Sequence, residues 1–134
     1  MNREIKFRGK NKDIGWVEGQ VAYDLNEDTY IIREVEQDSS YGLEEAMLFA
    51  IMWYRVDKET IGQYTGLKDE NGKEIYEGDI AKYENMIGKI MFFNGSFILS
   101  DFEETEEWEL GVINEELETM GNIYESELLG GEDE

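Results

Sequence analysis

The 134-residue chain contains no cysteine and no histidine. Without cysteine it can form no disulfide, zinc–thiolate site, iron–sulfur cluster or thiol nucleophile. Without histidine it lacks the most frequent general base and the usual ligand of transition metals. An active site would have to be built from carboxylates, lysine, tyrosine, serine or threonine. We therefore expect a protein that is not an enzyme and that carries no cofactor.

Long hydrophobic runs are missing as well. The longest, AMLFAIMWY at 46–54, is nine residues, less than half of the roughly 20 that a membrane helix needs. The first ten residues, MNREIKFRGK, are charged from the third residue onward and contain no apolar stretch like that of a signal peptide. These features predict a soluble, intracellular chain without a membrane partner.

Acidic side chains greatly outnumber basic ones, and the formal net charge is −21. Residues 101–134 contain fourteen acidic side chains and no basic ones. The first twelve residues are the exception, with Arg3, Lys6, Arg8, Lys10 and Lys12 against Glu4 alone. An acidic chain should repel nucleic acid and anionic membranes, so we expect no direct binding to nucleic acid. The excess charge either keeps a small protein soluble or attracts a basic partner.

Short alternating segments, separated by glycines, predict a largely β protein. The pattern predicts strands at 4–8, 16–24, 30–36 and about 47–56, a bulge at Gly19 and a turn over 57–60. Asn94-Gly95 lies between two apolar runs, which predicts a two-residue type I′ hairpin. NEELETM (114–120) predicts a short helix capped by Asn114, followed by a last strand at 121–126.

These segments predict an α+β fold that is predominantly antiparallel β. The expected architecture is a small curled sheet or a barrel, with minor helix near the C-terminus. We expect one domain over 1–134, with a subdivision near 57–60 as the alternative and a disordered acidic tip at 130–134.

The stretch TGLKDENGKEIYEGDI (65–80) combines turn residues with charged and aromatic side chains. Asn71 and Gly72 tolerate positive φ, and an aspartate such as Asp69 accepts hydrogen bonds from nearby backbone N–H groups, so a hairpin turn is predicted. The spacing fits neither an EF-hand calcium loop nor a phosphate-binding loop. The remaining metal hypothesis is a magnesium site formed by four carboxylates: Asp69, Glu74, Glu77 and Asp79.

The longer stretch TIGQYTGLKDENGKEIYEGDI (60–80) resembles the signature of the YopX family of phage and prophage proteins. REIKFRGK and GWVEG resemble the opening of that family, GKIMFFNGSFIL its central hairpin and GNIYESELL its closing motif. The resemblance implies a compact, mainly β fold with minor helix, a phage or prophage origin and the bacterial host cytoplasm as the compartment. It also leaves assembly into a homo-oligomer open. The family has no assigned activity, so it supplies no catalytic residues for this chain.

Three functions are consistent with these observations. The first is a non-enzymatic binding or regulatory module for an unidentified host or phage protein. Its exposed candidates are Tyr64, Lys68, Asp69, Tyr76 and Glu77, although core packing is the competing interpretation of both tyrosines. The second is an acidic DNA mimic that inhibits a host DNA-binding protein. The third is a hydrolase that depends on a divalent metal held by the four carboxylates.

Overall fold

A computed structural model describes residues 4–36 and 49–125 of the chain. The described strands form two sheets, neither of which closes into a barrel, and the helical residues lie between 110 and 116. The predominantly antiparallel fold is therefore confirmed, while the barrel alternative is wrong. The chain divides into two compact units: Lys6–Ile61, here the N-terminal unit, and Gly62–Glu134 with Met1–Ile5, here the C-terminal unit.

The N-terminal unit is an antiparallel meander in which neighbours in sequence are neighbours in the sheet. Its strands are β1 (Phe7–Asn11), β2 (Gly15–Tyr23), β3 (Thr29–Glu36), β4 (Phe49–Arg55) and the first part of β5 (Asp57–Lys68). Their order in the sheet is β4-β3-β2-β1-β5. Because successive side chains of a strand point to opposite faces, Val17, Ile31 and Val56 form the core of this unit.

The C-terminal unit contains a second open sheet and the helical residues. Its elements are β6 (Glu74–Tyr76), β7 (Asp79–Tyr83), β8 (Met86–Phe93), β9 (Ser96–Asp101), β10 (Glu107–Glu109), α1 (Leu110–Ile113), a 3₁₀ helix (Asn114–Glu116) and β11 (Glu118–Asn122). The sheet order is β10-β9-β8-β7-β11, and β6 pairs with the later part of β5. A core of apolar side chains from β6–β9, α1 and the residue before β11 fills this unit.

Local turn chemistry correctly predicted the hairpin between β8 and β9. Asn94 has φ 54° and Gly95 has φ 85°, the left-handed conformations that a type I′ turn requires. The flanking residues Phe93 and Ser96 pair directly across the two strands.

The helix prediction is displaced by about one turn. The α-helix spans Leu110–Ile113. It therefore ends just before Asn114, the residue that was predicted to cap its start. Leu110, Ile113 and Leu117 are all buried, so the buried apolar positions, rather than the capping residue, determine where the chain turns. The Asn114 side chain caps nothing there; its Nδ2 donates to the Lys68 carbonyl at 2.7 Å. The last strand accordingly begins at residue 118 instead of 121.

Two further expectations about the N-terminal unit are wrong. Residues 57–60 are the start of β5 rather than a turn, although the Thr60 hydroxyl donates to the Asp57 carbonyl at 2.6 Å. Gly19 is not a bulge, because its pairing with Phe7 continues the regular β1–β2 register. A β-carbon at Gly19 would lie 2.2 Å from the Ile32 carbonyl oxygen, so close approach of β3 explains this glycine. The predictions for 47–48 and 126–134 lie outside the described residues.

Candidate binding surfaces

The turn chemistry of the 65–80 stretch forms the β5–β6 hairpin, as predicted. The Asp69 N–H donates to the Lys73 carbonyl at 2.8 Å, and the Gly72 N–H donates to the Asp69 carbonyl at 2.9 Å. Gly72 has φ 81°, a conformation that glycine adopts without a steric penalty.

The Asp69 carboxylate joins this hairpin to β11. Its Oδ1 accepts hydrogen bonds from the N–H groups of Asn71 and Lys73, both at 2.9 Å. Its Oδ2 accepts from the N–H and the hydroxyl of Thr119, at 2.9 and 2.8 Å. A carboxylate has about four acceptor positions, so this network occupies the group fully. Asp69 is 5% exposed and acts as a structural link.

The protonation of Asp69 follows from the same contacts. Burial raises the pKa of its carboxyl, but hydrogen bonds from Thr119, Lys73 and Asn71 together outweigh burial and hold the pKa below its ordinary value. The side chain is therefore ionised in the folded protein at neutral pH, and hydrogen-bond donors stabilise its charge.

Three of the five residues expected on an exposed binding surface are buried. Tyr64 and Tyr76 are 5% and 3% exposed, and their rings pair across β5 and β6 with centroids 5.4 Å apart. Asp69 is the third. Lys68 is exposed and Glu77 is half-buried, so of the five predicted residues these two are accessible to a partner.

The four carboxylates proposed for magnesium do not form a site. Across 4–36 and 49–125, no three acidic side chains are grouped so that they could hold a metal ion. Asp79 is buried and accepts a hydrogen bond from the Tyr76 N–H at 2.8 Å. Glu74 accepts from the Tyr76 hydroxyl at 3.3 Å. These carboxylates stabilise the hairpin, and the metal-dependent hydrolase has no geometric support.

Sequence reasoning missed an aromatic surface on β3 and β4 in the N-terminal unit. Trp53 is 51% exposed, and its ring packs edge-on against Tyr30 with centroids 5.4 Å apart. Ile32 is the cross-strand neighbour of Trp53. The next residue back, Met52, is 42% exposed and points to the opposite face. The apolar run that contains both residues predicted a strand but did not indicate which of its side chains would be exposed.

Arginine side chains accompany the aromatic residues of the same sheet. The Arg33 guanidinium lies 5.3 Å from the centre of the Tyr54 ring, and the Arg8 guanidinium lies 4.8 Å from that of Trp16. These distances are typical of cation–π contacts. The Arg33–Tyr54 pair lies on the face opposite Trp53, where Tyr54 packs against the core of Val17, Ile31 and Val56. It is therefore not part of the surface around Trp53 and Tyr30.

A cleft of about 930 Å³ lies at one end of the same sheet. It is lined by four basic side chains (Lys10, Lys12, Arg55, Lys58) and four acidic ones (Asp13, Glu27, Asp28, Asp57). Arg55 and Asp28 form an ion pair at 2.9 Å. Because the charges balance, the cleft favours neither anions nor cations.

The fold and these surfaces define a two-unit antiparallel β protein. Its β5–β6 hairpin is held by hydrogen bonds to Asp69, and its N-terminal unit exposes Trp53. The model of the YopX protein family matches residues 6–130, and the chain belongs to this family.

A crystal structure of protein EF1440 from Enterococcus faecalis has a similar fold. The TM-score is 0.51 and the identity is 21%, with 96% of this chain and 99% of that chain covered. No curated protein matches the chain. In the part of the chain that the structure describes, no helix is both long enough and apolar enough to span a membrane.

Proposed function

We propose that this YopX-family protein is a non-enzymatic binding or regulatory module that acts on a host or phage protein in the bacterial cytoplasm. The observation that carries the proposal is the half-exposed Trp53, whose ring packs against Tyr30 of the neighbouring strand. Tryptophan and tyrosine are prominent among the few residues that dominate binding energy at protein interfaces. The lack of histidine and cysteine supports a function without catalysis.

The burial of the signature residues supports the same surface. Tyr64, Asp69 and Tyr76 are buried within the C-terminal unit, where they hold the β5–β6 hairpin together. The motif at 60–80 is therefore explained mainly by folding. The half-exposed Trp53 of β4, packed against Tyr30 of β3, is the stronger candidate for recognition.

The net charge limits the kind of partner. At −21, the long-range field of the protein favours a basic or neutral partner and disfavours nucleic acid and anionic membranes. Since charge attraction at a surface weakens as salt screens it, a partner held mainly by aromatic packing should survive high salt.

The test is capture of a partner by tagged full-length protein from lysate of the bacterial host. We expect a stoichiometric protein that survives high salt, and we expect Trp53→Ala to weaken its binding at least about tenfold, because the cost of truncating a central interface tryptophan commonly exceeds 1.4 kcal/mol. Leu25→Ala is the matched control, because Leu25 is a fully exposed apolar residue of the same unit. Its binding should equal that of the wild type.

If the wild type, Trp53→Ala and Leu25→Ala capture the partner equally, the partner binds elsewhere on the protein and the proposal is contradicted. Capture of nothing by the wild type would contradict it as well. Circular dichroism of Trp53→Ala should match that of the wild type, because half of this side chain is already in water.

Inhibition of a DNA-binding protein by acidic mimicry is the second candidate. Glu103, Glu104, Glu106, Glu107 and Glu109 are all exposed, and only Glu104 forms an ion pair among the described contacts of this group, with Lys89 at 3.0 Å. Closely spaced carboxylates can occupy a groove that binds phosphates.

Mimicry predicts that changing these five glutamates to glutamine abolishes capture of a DNA-binding protein. It also predicts that rising salt releases that protein from the wild type. Trp53→Ala, which leaves the charges unchanged, is the control and should keep the interaction. If the glutamine variant captures the protein as well as the wild type does, mimicry is wrong.

A further inference from the structure

We infer that β4 is a docking edge at which an extended, neutral or basic segment of a partner protein is added as an antiparallel strand. The inference rests on the proposed function and specifies how the partner is held. Strand addition is an established mode of peptide recognition, in which backbone hydrogen bonds supply affinity and alternate side chains supply specificity.

β4 is the last strand of its sheet among the described residues. It pairs with β3 over its whole length, from Phe49 opposite Glu36 to Arg55 opposite Tyr30, without a shift in register. On its other side no described strand follows. An edge strand of this kind presents a row of backbone N–H and C=O groups that a further strand can pair with.

The other described sheet ends carry features that discourage strand addition. β10 has three residues, of which Glu107 and Glu109 are charged. β6 also has three residues, and β11 has a register shift between Thr119 and Gly121. Short length, charge and bulges are the devices by which proteins block their sheet edges.

β4 has none of these devices. It is seven residues long, it is uncharged from Phe49 to Tyr54, and its register is regular. Among the described strands, the contrast with the other edges singles out β4 as the one that a partner strand can extend.

Two exposed side chains on β4 can anchor an added strand. Met52 and Trp53 are neighbours, so they point to opposite faces of the sheet, and they are 42% and 51% exposed. An added strand would bring side chains beside each of them. It would therefore bury apolar surface on both faces as well as pair its backbone.

Charge decides which segment fits this edge. The basic residues next to the strand are already engaged: Arg55 pairs with Asp28 at 2.9 Å, and Arg33 lies over the Tyr54 ring. The unit that contains β4 carries twelve acidic and seven basic side chains over residues 6–61, so the field that a segment meets there is negative. An acidic segment is repelled by this field, and a neutral or basic one is not.

The same charge argues against a second copy of this chain as the occupant. Two β4 strands could pair about a twofold axis, but this would bring together two proteins of −21 each. Self-repulsion of strongly charged proteins opposes such association.

The probe is a nine-residue peptide in which valine and lysine alternate. The matched control is the same peptide with the backbone nitrogens of alternate residues methylated on the edge that would face β4. Methylation keeps the charges and side chains but removes the hydrogen-bond donors of that edge. Binding to the full chain is measured by fluorescence anisotropy at physiological salt, and amide hydrogen exchange locates the site.

We expect the unmethylated peptide to slow exchange of the β4 amides, and the methylated peptide to bind at least about tenfold more weakly, because several backbone hydrogen bonds are lost. A third peptide with glutamate in place of lysine should also bind more weakly than the first. Trp53→Ala should weaken binding of the first peptide.

The inference is overturned if the first peptide fails to bind, if it binds as the methylated one does, or if it protects amides outside β4. Concentration-dependent protection of β4 in the protein alone would overturn it in favour of a second copy. If the peptides fail while Trp53→Ala still abolishes capture of a lysate protein, strand addition is wrong and the binding module stands. If both tests fail, the proposed function is wrong too.

Discussion

Asp69→Ala should lower the free energy of unfolding by about 3 kcal/mol, because the carboxylate accepts four hydrogen bonds in a buried setting. Its removal leaves the N–H and the hydroxyl of Thr119 without their acceptor. It also removes the bonds that order the turn at Asn71 and Lys73. Urea denaturation of both proteins at pH 7 measures the difference.

Thr119→Val is the control for the hydroxyl alone. It keeps the hydrogen bond from the Thr119 N–H to Asp69 and removes only the bond from the hydroxyl at 2.8 Å. We expect a loss of about 1 kcal/mol. If Asp69→Ala and Thr119→Val unfold at the same urea concentration, Asp69 is not the link that its four hydrogen bonds indicate.

The contribution of Asp69 to the free energy of unfolding should also depend on pH. The pKa of Asp69 is lowered in the folded chain, so its ionised form contributes stability that is fully present above the unfolded-state pKa of about 3.9 and is lost as pH falls through the folded-state pKa. Asp69→Asn cannot titrate. The difference in unfolding free energy between wild type and Asp69→Asn should be constant near neutral pH and should shrink below about pH 4.

Features set by neighbouring residues were predictable from the sequence. Asn94-Gly95 and the Asp69–Gly72 turn follow from the backbone preferences of single residues, and both occur. Alternation of apolar residues likewise predicted β2 and β3 to within a few residues. In these segments, local preference and tertiary structure agree.

The features that decide the candidate sites depend on contacts between distant parts of the chain. Asp69 is buried because Thr119, fifty residues later, meets its carboxylate. Tyr64 and Tyr76 are buried because β5 and β6 pair them directly. In the sequence, each of these side chains has the turn residues and charges of a surface loop around it. Exposure of Asp69 was therefore the wrong expectation, whereas the core packing considered for the two tyrosines agrees with their burial.

The run at 46–54 illustrates a different limit. Its apolar residues correctly indicated a strand but not how exposed that strand would be. β4 lies at the end of its sheet, and Met52 and Trp53 remain exposed. The position of a strand within a sheet is set by the order in which strands pair. No local pattern in the sequence of the strand encodes this order.

Substitution of Gly88 should have a large effect on the free energy of unfolding, for a reason that depends on strand pairing. Gly88 lies inside β8, opposite Asp101 of β9. A β-carbon there would lie 2.2 Å from the Ser100 carbonyl oxygen and 2.9 Å from the Ser100 carbonyl carbon. Both atoms belong to the backbone of the paired strand β9, so they cannot move aside as the end of a side chain could.

Gly88→Ala should therefore lower the free energy of unfolding by about 3 kcal/mol or more, because relief of the clash requires β8 and β9 to separate. Gly111→Ala is the matched control in the same unit. Gly111 lies in α1, and a β-carbon there meets nothing within 4 Å. Alanine is the better helix former, so this change should leave stability unaltered or raise it by up to about 1 kcal/mol.

Urea denaturation followed by circular dichroism compares the two variants, which differ from the wild type by the same single methyl group. We expect the midpoint of Gly88→Ala to fall well below that of Gly111→Ala. Equal midpoints would mean that β8 and β9 can separate at Gly88 without loss. In that case the close approach of these strands would not be the reason for a glycine at position 88.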